Sequence, residues 1–193
     1  GDTFDVDVAL ANQTGPFVSG WNGQDLTKNG AGTLILSGIN TYTGNTVINA
    51  GTLAAGRDNV FINSTAITVG NGATLNLNNY DQIANNLAGS GDIILGSAAL
   101  TVNNTINTTF SGKMTGAEGS LIKTGGATLS LGGENTYTGI THIVNGTLEA
   151  MAGADNIIAK SNAVIVDANF IFNDTDQLLN NLAGTSTGNI NLG

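Results

Sequence analysis

A stretch of 30 residues recurs almost a hundred positions later, and this recurrence restricts the possible folds more than any other feature of the chain. Residues 26–55 set beside residues 121–150, an offset of 95, agree at 18 of 30 positions without a gap. The matches include Leu26/Leu121, Lys28/Lys123, Gly30/Gly125, Thr33/Thr128, Leu34/Leu129, Leu36/Leu131 and Gly38/Gly133. They continue through Asn40-Thr41-Tyr42-Thr43-Gly44 against Asn135-Thr136-Tyr137-Thr138-Gly139, then Thr46/Thr141, Ile48/Ile143, Gly51/Gly146, Thr52/Thr147 and Leu53/Leu148. Beyond the stretch, Asp58-Asn59 matches Asp155-Asn156, and Asp81-Gln82 matches Asp176-Gln177. Asn85-Asn86-Leu87-Ala88-Gly89 likewise matches Asn180-Asn181-Leu182-Ala183-Gly184, with the offset drifting between 95 and 97 as small loop insertions would produce. Residues 1–193 therefore read as one continuous body holding two modules, approximately 26–96 and 121–193, with no Pro-rich or charged linker between them.

Within each module the apolar period is two. Segments 33–37 and 128–131 place leucines on one face, and 46–49, 66–69, 73–77 and 163–166 are further short strand candidates. Breaks such as Gly70-Asn71-Gly72 and Gly89-Ser90-Gly91-Asp92 separate them, and no segment of ten or more residues carries a helical stripe. A closed barrel or sandwich has no need of a long self-similar unit. A solenoid does, because each coil stacks on its neighbour and extends a continuous core. At about 20–25 residues per coil the chain would make about eight or nine coils, roughly 4.8 Å apart, in a rod of about 40 Å. Each module would then span about four coils.

Composition fits this architecture. Gly, Asn and Thr number 28, 27 and 25, and charged residues make up only 10% of the chain, too few for the solvent faces of helices. Hydrophobic content of 40% argues against disorder. Cys is absent, which removes disulfides, thiolate metal sites and cysteine nucleophiles together. The net charge is −9 and the five basic residues, Lys28, Arg57, Lys113, Lys123 and Lys160, are dispersed, so no nucleic-acid surface is expected. No apolar run approaches the roughly 20 residues needed to span a bilayer. The opening Gly1-Asp2-Thr3-Phe4-Asp5 carries no signal-peptide pattern and no initiator Met, so the sequence reads as a piece of a longer chain.

The run from Gly30 through Asn40, Tyr42, Gly44 and Gly51 to Leu53 resembles the passenger-associated transport repeat of bacterial autotransporters, and the run from Gly125 to Leu148 resembles it equally. The Asp-Gln-x-x-Asn-Asn-Leu-Ala-Gly segments are similar to those found between such repeats. The resemblance implies an all-β fold, a right-handed single-stranded parallel β-helix exported by type V secretion. It implies a signal peptide before the passenger and the protein's own C-terminal outer-membrane β-barrel after it. It places the chain at the bacterial surface or outer membrane, or in the medium after cleavage. Stacking of coils outside the cell would favour outward movement without ATP, and the absence of Cys suits a chain that must stay unfolded in an oxidising periplasm.

Other chemistries were weighed against structural roles. The Tyr42 and Tyr137 runs could serve as sugar platforms, but recurrence at one repeat position ending in a turn Gly points to a structural corner. His142, the only histidine, cannot form a multi-His metal site, and alternation with Thr141 and Ile143 turns it outward. Parallel β-helices include polysaccharide lyases and hydrolases, so Asp5/Asp7, Glu118, Asp155, Asp167 and Asp174/Asp176 are the acids to check. No basic residue accompanies Asp5 and Asp7, and Asp176 has a repeat equivalent in Asp81, which suggests turn-making. Calcium nonapeptides and phosphate loops are absent, Arg57-Asp58 is not an integrin tripeptide, and the sequons at Asn63 and Asn145 are expected by chance in so much Asn and Thr.

The expectation is a non-enzymatic passenger segment, without cofactor or metal, that supports export and presents loops to a host cell-surface protein or glycan. The competing expectation is a polysaccharide-degrading enzyme with its active site on or beyond this segment. The regions least like the repeat, residues 1–25 and 101–120 with Phe17, Trp21, Phe110 and Met114, are where an interaction surface is expected.

Overall fold

The computed structural model describes residues 2–13 and 24–192, and every regular element among them is a strand. Along the chain these are β1 (Thr3–Val6), β2 (Leu26–Lys28), β3 (Thr33–Leu36), β4 (Thr46–Ile48), β5 (Thr52–Ala55), β6 (Ile67–Val69) and β7 (Thr74–Asn76). The middle supplies β8 (Gln82–Asn85), β9 (Ala88–Gly89), β10 (Asp92–Ile94), β11 (Ala99–Asn103), β12 (Thr108–Phe110), β13 (Met114–Thr115) and β14 (Ser120–Thr124). The last third adds β15 (Thr128–Leu131), β16 (Ile140–Ile143), β17 (Thr147–Ala150), β18 (Ala163–Val166), β19 (Asn169–Ile171), β20 (Leu182–Ala183) and β21 (Asn189–Asn191).

They stack into three parallel sheets, the faces of a β-solenoid of about eight turns. The long face runs β2-β4-β6-β9-β12-β15-β17-β19-β21. The early face is β1-β3-β5-β7-β10-β13, and the late face is β8-β11-β14-β16-β18-β20. Before β8, the corners at 38–44 and 56–65 stand where the late face has no strand. After β13, the corners at 132–139, 151–162 and 172–181 do the same for the early face. Coil length follows from register: Leu34 pairs with Leu53, Leu53 with Leu75, Leu75 with Ile93 and Ile93 with Met114, steps of 19, 22, 18 and 21 residues.

Parallel sheets elsewhere are covered by crossover helices and read as unbroken apolar runs. Here each crossover is another strand, so the outer face stays in water and the sequence alternates. In β11, Leu100 and Val102 are fully buried while Ala99, Thr101 and Asn103 face outward and are half-buried. Repeated along the stack, this gives one core through Leu36, Leu53, Leu75, Ile93, Leu129 and Leu148.

Two sequence expectations change. The 95-residue offset is longer than the four or so coils expected of each module. β2 and β3, on the long and early faces, correspond to β14 and β15, on the late and long faces, so the offset spans four coils plus two of the three faces of a fifth. The repeat has therefore moved round by one face. Phe110 and Met114 are also fully buried, on β12 and β13, and cannot form an interaction surface. Their coil carries strands on all three faces, as the two coils before it do. Phe17 and Trp21 lie outside the described residues.

Candidate functional site: the corners that lock coil to coil

The polar residues shared by the two modules converge on corners, where they bond to the coils before and after. Asn40 is buried at its corner, where Oδ1 accepts from Leu10 N–H (2.9 Å) and Nδ2 donates to Val60 C=O (3.2 Å). Asn135 repeats the bridge, accepting from Met114 N–H (2.7 Å) and donating to Ile157 C=O (2.8 Å). One amide thus satisfies a donor about one coil below and an acceptor about one coil above. Buried groups of this kind need such partners, because the corner breaks the backbone ladder that would otherwise serve them.

Beside each Asn a hydroxyl chain enters the core. Thr46 Oγ1 donates to Ser64 Oγ at 3.0 Å, which leaves Tyr42 Oη to donate to Thr46 at 2.6 Å. Ser64 Oγ has Gly44 C=O and Ala66 C=O as acceptors, each at 3.0 Å. Tyr137, Thr141 and Ser161 form the same chain at 2.7 and 3.0 Å, ending on Gly139 C=O and Ala163 C=O, each at 2.9 Å. Burial pushes the Tyr42 phenol up to about 12 against the smaller lowering effect of its Thr46 bond, and raises Tyr137 in the same way. Both rings are buried, so neither is a stacking platform for sugar.

About one coil further on, the Asp-Asn and Asp-Gln pairs act together. Asp58 Oδ1 accepts from Asp81 N–H and Asp155 Oδ1 from Asp176 N–H, both at 2.9 Å. Gln82 accepts from Val60 N–H (2.9 Å) and donates to Arg57 C=O (2.8 Å). Gln177 accepts from Ile157 N–H and donates to Ala154 C=O, both at 2.9 Å. Asn85 and Asn180 each donate to two carbonyls of the coil below, Ile62 and Ser64, and Ala159 and Ser161. Asn59, Asn86, Asn156 and Asn181 hold φ between 45° and 56°, the left-handed region that Asn tolerates best after Gly.

The two shared lysines point inward. Lys123 is fully buried, and its Nζ donates to Thr124 C=O (2.6 Å), Gly125 C=O (3.0 Å) and Asn145 C=O (3.2 Å). Lys28 is also buried, with Asn29, Gly30 and Ala50 carbonyls at 3.3, 2.7 and 3.0 Å. Each ammonium uses three donors on three carbonyls, two from its own turn and one from the next coil. Burial pushes Lys123 down to about 8. The sequence marks these lysines only as two of five dispersed basic residues. The signal for burial was parity, since Lys28 and Lys123 fall in step with inward Leu26 and Leu121.

The remaining repeat residues provide the frame for these locks. Thr33, Leu34 and Leu36 lie on β3, and Thr128, Leu129 and Leu131 on β15, while Leu53 and Leu148 lie on β5 and β17. Gly30, Gly51, Gly125 and Gly146 take positive φ at turns. At Gly38 and Gly133 the next backbone is too close for a side chain: a Cβ would stand 2.2 Å from Val8 O and 1.9 Å from Gly112 O. Gly44 and Gly139 supply the carbonyls that accept from Ser64 and Ser161.

The acids do not converge. Asp5 and Asp7 are exposed on and beside β1, with Ser37 donating to Asp5 at 2.7 Å. Glu118, Asp155, Asp174 and Asp176 occupy turns and corners. His142 faces outward from β16 and is half-buried, its Nε2 lying 2.8 Å from Asp167 Oδ2. That bond, aided by Thr185 N–H on Oδ1, holds the Asp167 carboxyl below the usual carboxylate range. Among the described residues no group of three His, Cys, Asp or Glu could hold a metal, and no helix is long and apolar enough to cross a membrane.

Comparison with known proteins adds a lineage to this geometry. The passenger-associated-transport-repeat family matches residues 26–55 and 121–150, the segments that carry the Asn-Tyr corners and buried lysines. Over 94 residues, 48% of this chain, the sequence is 45% identical to the adhesin BmaC autotransporter of Brucella suis biovar 1 (strain 1330). The match spans 3% of the length of that relative. No solved structure matches the chain.

Proposed function

We propose that this segment of an autotransporter passenger domain, displayed on the bacterial surface or released from it, is a non-enzymatic β-helical scaffold that supports export and presents its outer faces and loops for host-cell adhesion. The observation that carries the reading is the use made of the repeat's polar residues. Asn, Gln, Asp, Lys, Tyr, Thr and Ser that could compose a catalytic centre are instead engaged between coils. Each coil that docks buries several aliphatic side chains, at about 1.5–3 kcal/mol apiece, and closes its backbone bonds on the coil beside it. Docking outside the membrane would therefore oppose backward movement of the chain without nucleotide. In the full-length protein the partner for this step would be its own C-terminal outer-membrane β-barrel.

The adhesin name of the Brucella relative supports a host cell-surface protein or glycan as the binding partner. The test is to display the full chain on a bacterium that lacks adhesins and measure binding to cultured host cells, with host and bacterial glycans assayed for turnover in parallel. Saturable binding without product is expected. Failure to bind, or product formation abolished by changing an acid such as Asp167, would overturn the reading.

A further inference from the structure

Asn followed by Gly occurs four times, at 22–23, 29–30, 71–72 and 145–146, and the first of these pairs lies outside the described residues. With no Cβ on the second residue, its backbone nitrogen meets least obstruction on the way to the Asn side-chain carbonyl. The other three pairs are held differently. At Asn29 the side-chain oxygen accepts from Asn49 Nδ2 at 2.8 Å, which ties it to the next coil and away from Gly30. Asn71 stands exposed in a turn, and no bond among the described residues joins its side chain to Gly72 N–H. At Asn145, Gly146 N–H donates to that residue's own Oδ1 at 2.8 Å, so the nitrogen lies against the carbonyl whose carbon it can attack. Asn145 is exposed, and water reaches it freely.

The backbone carbonyl of the same residue has a different neighbour. Asn145 O accepts from Lys123 Nζ at 3.2 Å, and the other acceptors of that buried ammonium are Thr124 O and Gly125 O. Among the described residues no carboxylate pairs with it. In the first module Lys28 bonds instead to Ala50 O, and Ala50 carries no side-chain amide. The second module thus joins, on one residue, a side chain poised for attack and a backbone carbonyl held by an unneutralised ammonium.

We propose that Asn145–Gly146 is a self-modification site whose product is isoaspartate, and that the new carboxylate becomes the partner of Lys123. Gly146 N bonds to Asn145 Cγ, the Cγ–Nδ2 bond breaks, and the proton given up by Gly146 passes through solvent to Nδ2, which leaves as ammonia. A five-membered succinimide remains, and water opens it at one of two carbonyls. Addition at Cγ breaks its new bond to nitrogen and gives Asp. Addition at the former backbone carbonyl breaks the original peptide bond, leaves the chain running through Cγ, and turns that carbonyl into a free α-carboxylate. Lys123 Nζ donates to the oxygen of this second carbonyl, so it stabilises the oxyanion that forms there and directs the opening toward isoaspartate. In the product a charge-assisted bond replaces the bond to a neutral carbonyl. The inference goes beyond adhesion and stands whether or not the outer faces bind a host cell.

The test ages the full chain at neutral pH, folded and in urea, and follows the three Asn-Gly pairs by peptide mass spectrometry. Loss of ammonia and uptake of water read as a gain of about 1 Da, and electron-transfer fragmentation separates isoaspartate from Asp. In urea the three pairs react alike. In the folded chain Asn145 reacts about threefold or more faster than Asn29 and Asn71. Its ratio of isoaspartate to Asp also rises about threefold or more above the ratio in urea. Lys123→Met returns that ratio to the urea value and leaves the ratio at Asn71 unchanged. A second readout needs no variant: by nuclear magnetic resonance the Lys123 amine titrates at higher pH in the isoaspartyl chain than in the fresh one. A folded Asn145 no faster than Asn71 overturns the inference, as does a ratio equal in folded and unfolded chains. A ratio that survives Lys123→Met, or an unmoved Lys123 titration, overturns the part assigned to the ammonium.

Discussion

Replacing Lys123 by Met separates two opposing effects that the buried lysine combines. Met keeps an unbranched apolar stem of similar reach but removes the ammonium. Of the three carbonyls involved, Thr124 O also accepts from Asn104 N–H at 3.1 Å, so it keeps a partner. Gly125 O and Asn145 O have no other donor among the described residues, and at about 1–3 kcal/mol per orphaned group their loss costs about 2–6 kcal/mol. Against this stands relief from burying a charge that no carboxylate neutralises, worth several kcal/mol in the same direction as the substitution. The net expectation at pH 7 is a loss of about 1–3 kcal/mol, and pH distinguishes the two effects. Because burial holds the folded pKa near 8, against an ordinary value of 10.5, both states are protonated below pH 8. Between pH 8 and 10.5 the unfolded chain binds more protons, so the parent gains stability as pH rises. Lys123→Met lacks that gain, and the gap between the two proteins widens. The gap stops widening near pH 10.5, where the unfolded lysine deprotonates too; the buried tyrosines, whose stability is complete below pH 10 and is lost as pH climbs toward 12, are common to both proteins and leave the gap unchanged. Urea titrations followed by far-ultraviolet circular dichroism at pH 7.5, 8.5 and 9.5 measure the gap. A substitution that is neutral at pH 7.5, or a gap that narrows as pH rises, would refute the argument.

Asn135→Ala leaves the buried Met114 N–H and Ile157 C=O without their bridge and should cost about 2–4 kcal/mol in the same assay, with Asn135→Asp, which keeps the acceptor, falling between. Gly133→Ala drives a Cβ into Gly112 O and should cost about 3 kcal/mol, whereas Gly126→Ala, with open space around its Cβ, should stay within about 0.5 kcal/mol of the parent. Equal effects at the two glycines would argue against close coil approach as the reason for the shared Gly. The Asp167 carboxyl is held low chiefly by its bond to His142, so its contribution is present above the ordinary carboxylate pKa and is lost as pH falls through the folded value. His142→Val, which installs the residue of the first module, should therefore move the acid-unfolding midpoint to higher pH, and an unmoved midpoint would show that the pair contributes nothing.

Much of this fold was legible because solenoid strands keep a period of two. Thr33, Leu34 and Leu36, or Ala163 to Val166, announce a strand on their own, and recurrence of Asn40 and Tyr42 at Asn135 and Tyr137 announces a corner. Identity of the corner residues could not show which atoms they join, because their partners lie about a coil away and are mostly backbone groups. Ser64 and Ser161, the ends of the hydroxyl chains, stand two positions apart from the 95-residue alignment, at an offset of 97, and were hidden by that drift. The lysines were misjudged by residue type, since Lys is almost never fully buried without a partner. Here the partners are carbonyls instead of a carboxylate, which no charge pattern reveals. Phe110 and Met114 were misjudged for a different reason. Departure from the repeat does not mean freedom from structural duty, since both side chains fill the core.

The two copies differ in the faces they occupy. Because the offset advances four coils and two faces, the same lock works on different sides of the stack, and it can do so because its bonds run within its own turn and to the coils below and above. No lock residue depends on which face it occupies. Within the 30-residue repeat the inward positions are accordingly identical between copies, as in Leu36/Leu131, Thr46/Thr141, Ile48/Ile143 and Leu53/Leu148. Outward positions on the very same strands have diverged: Ile35 against Ser130, Val47 against His142, Ala54 against Glu149. The second copy has used that latitude to add polar ties of its own, with Ser130 and Asn173 both donating to Glu149 and His142 bonded to Asp167. Thr33/Thr128 and Thr52/Thr147 are kept on the outer side, so stacking constrains the inner side of each strand more than the outer without ending there. Three advances of this size restore the original face, so copies spaced in this way direct their corners, and the variable surface between them, around the whole circumference of the solenoid.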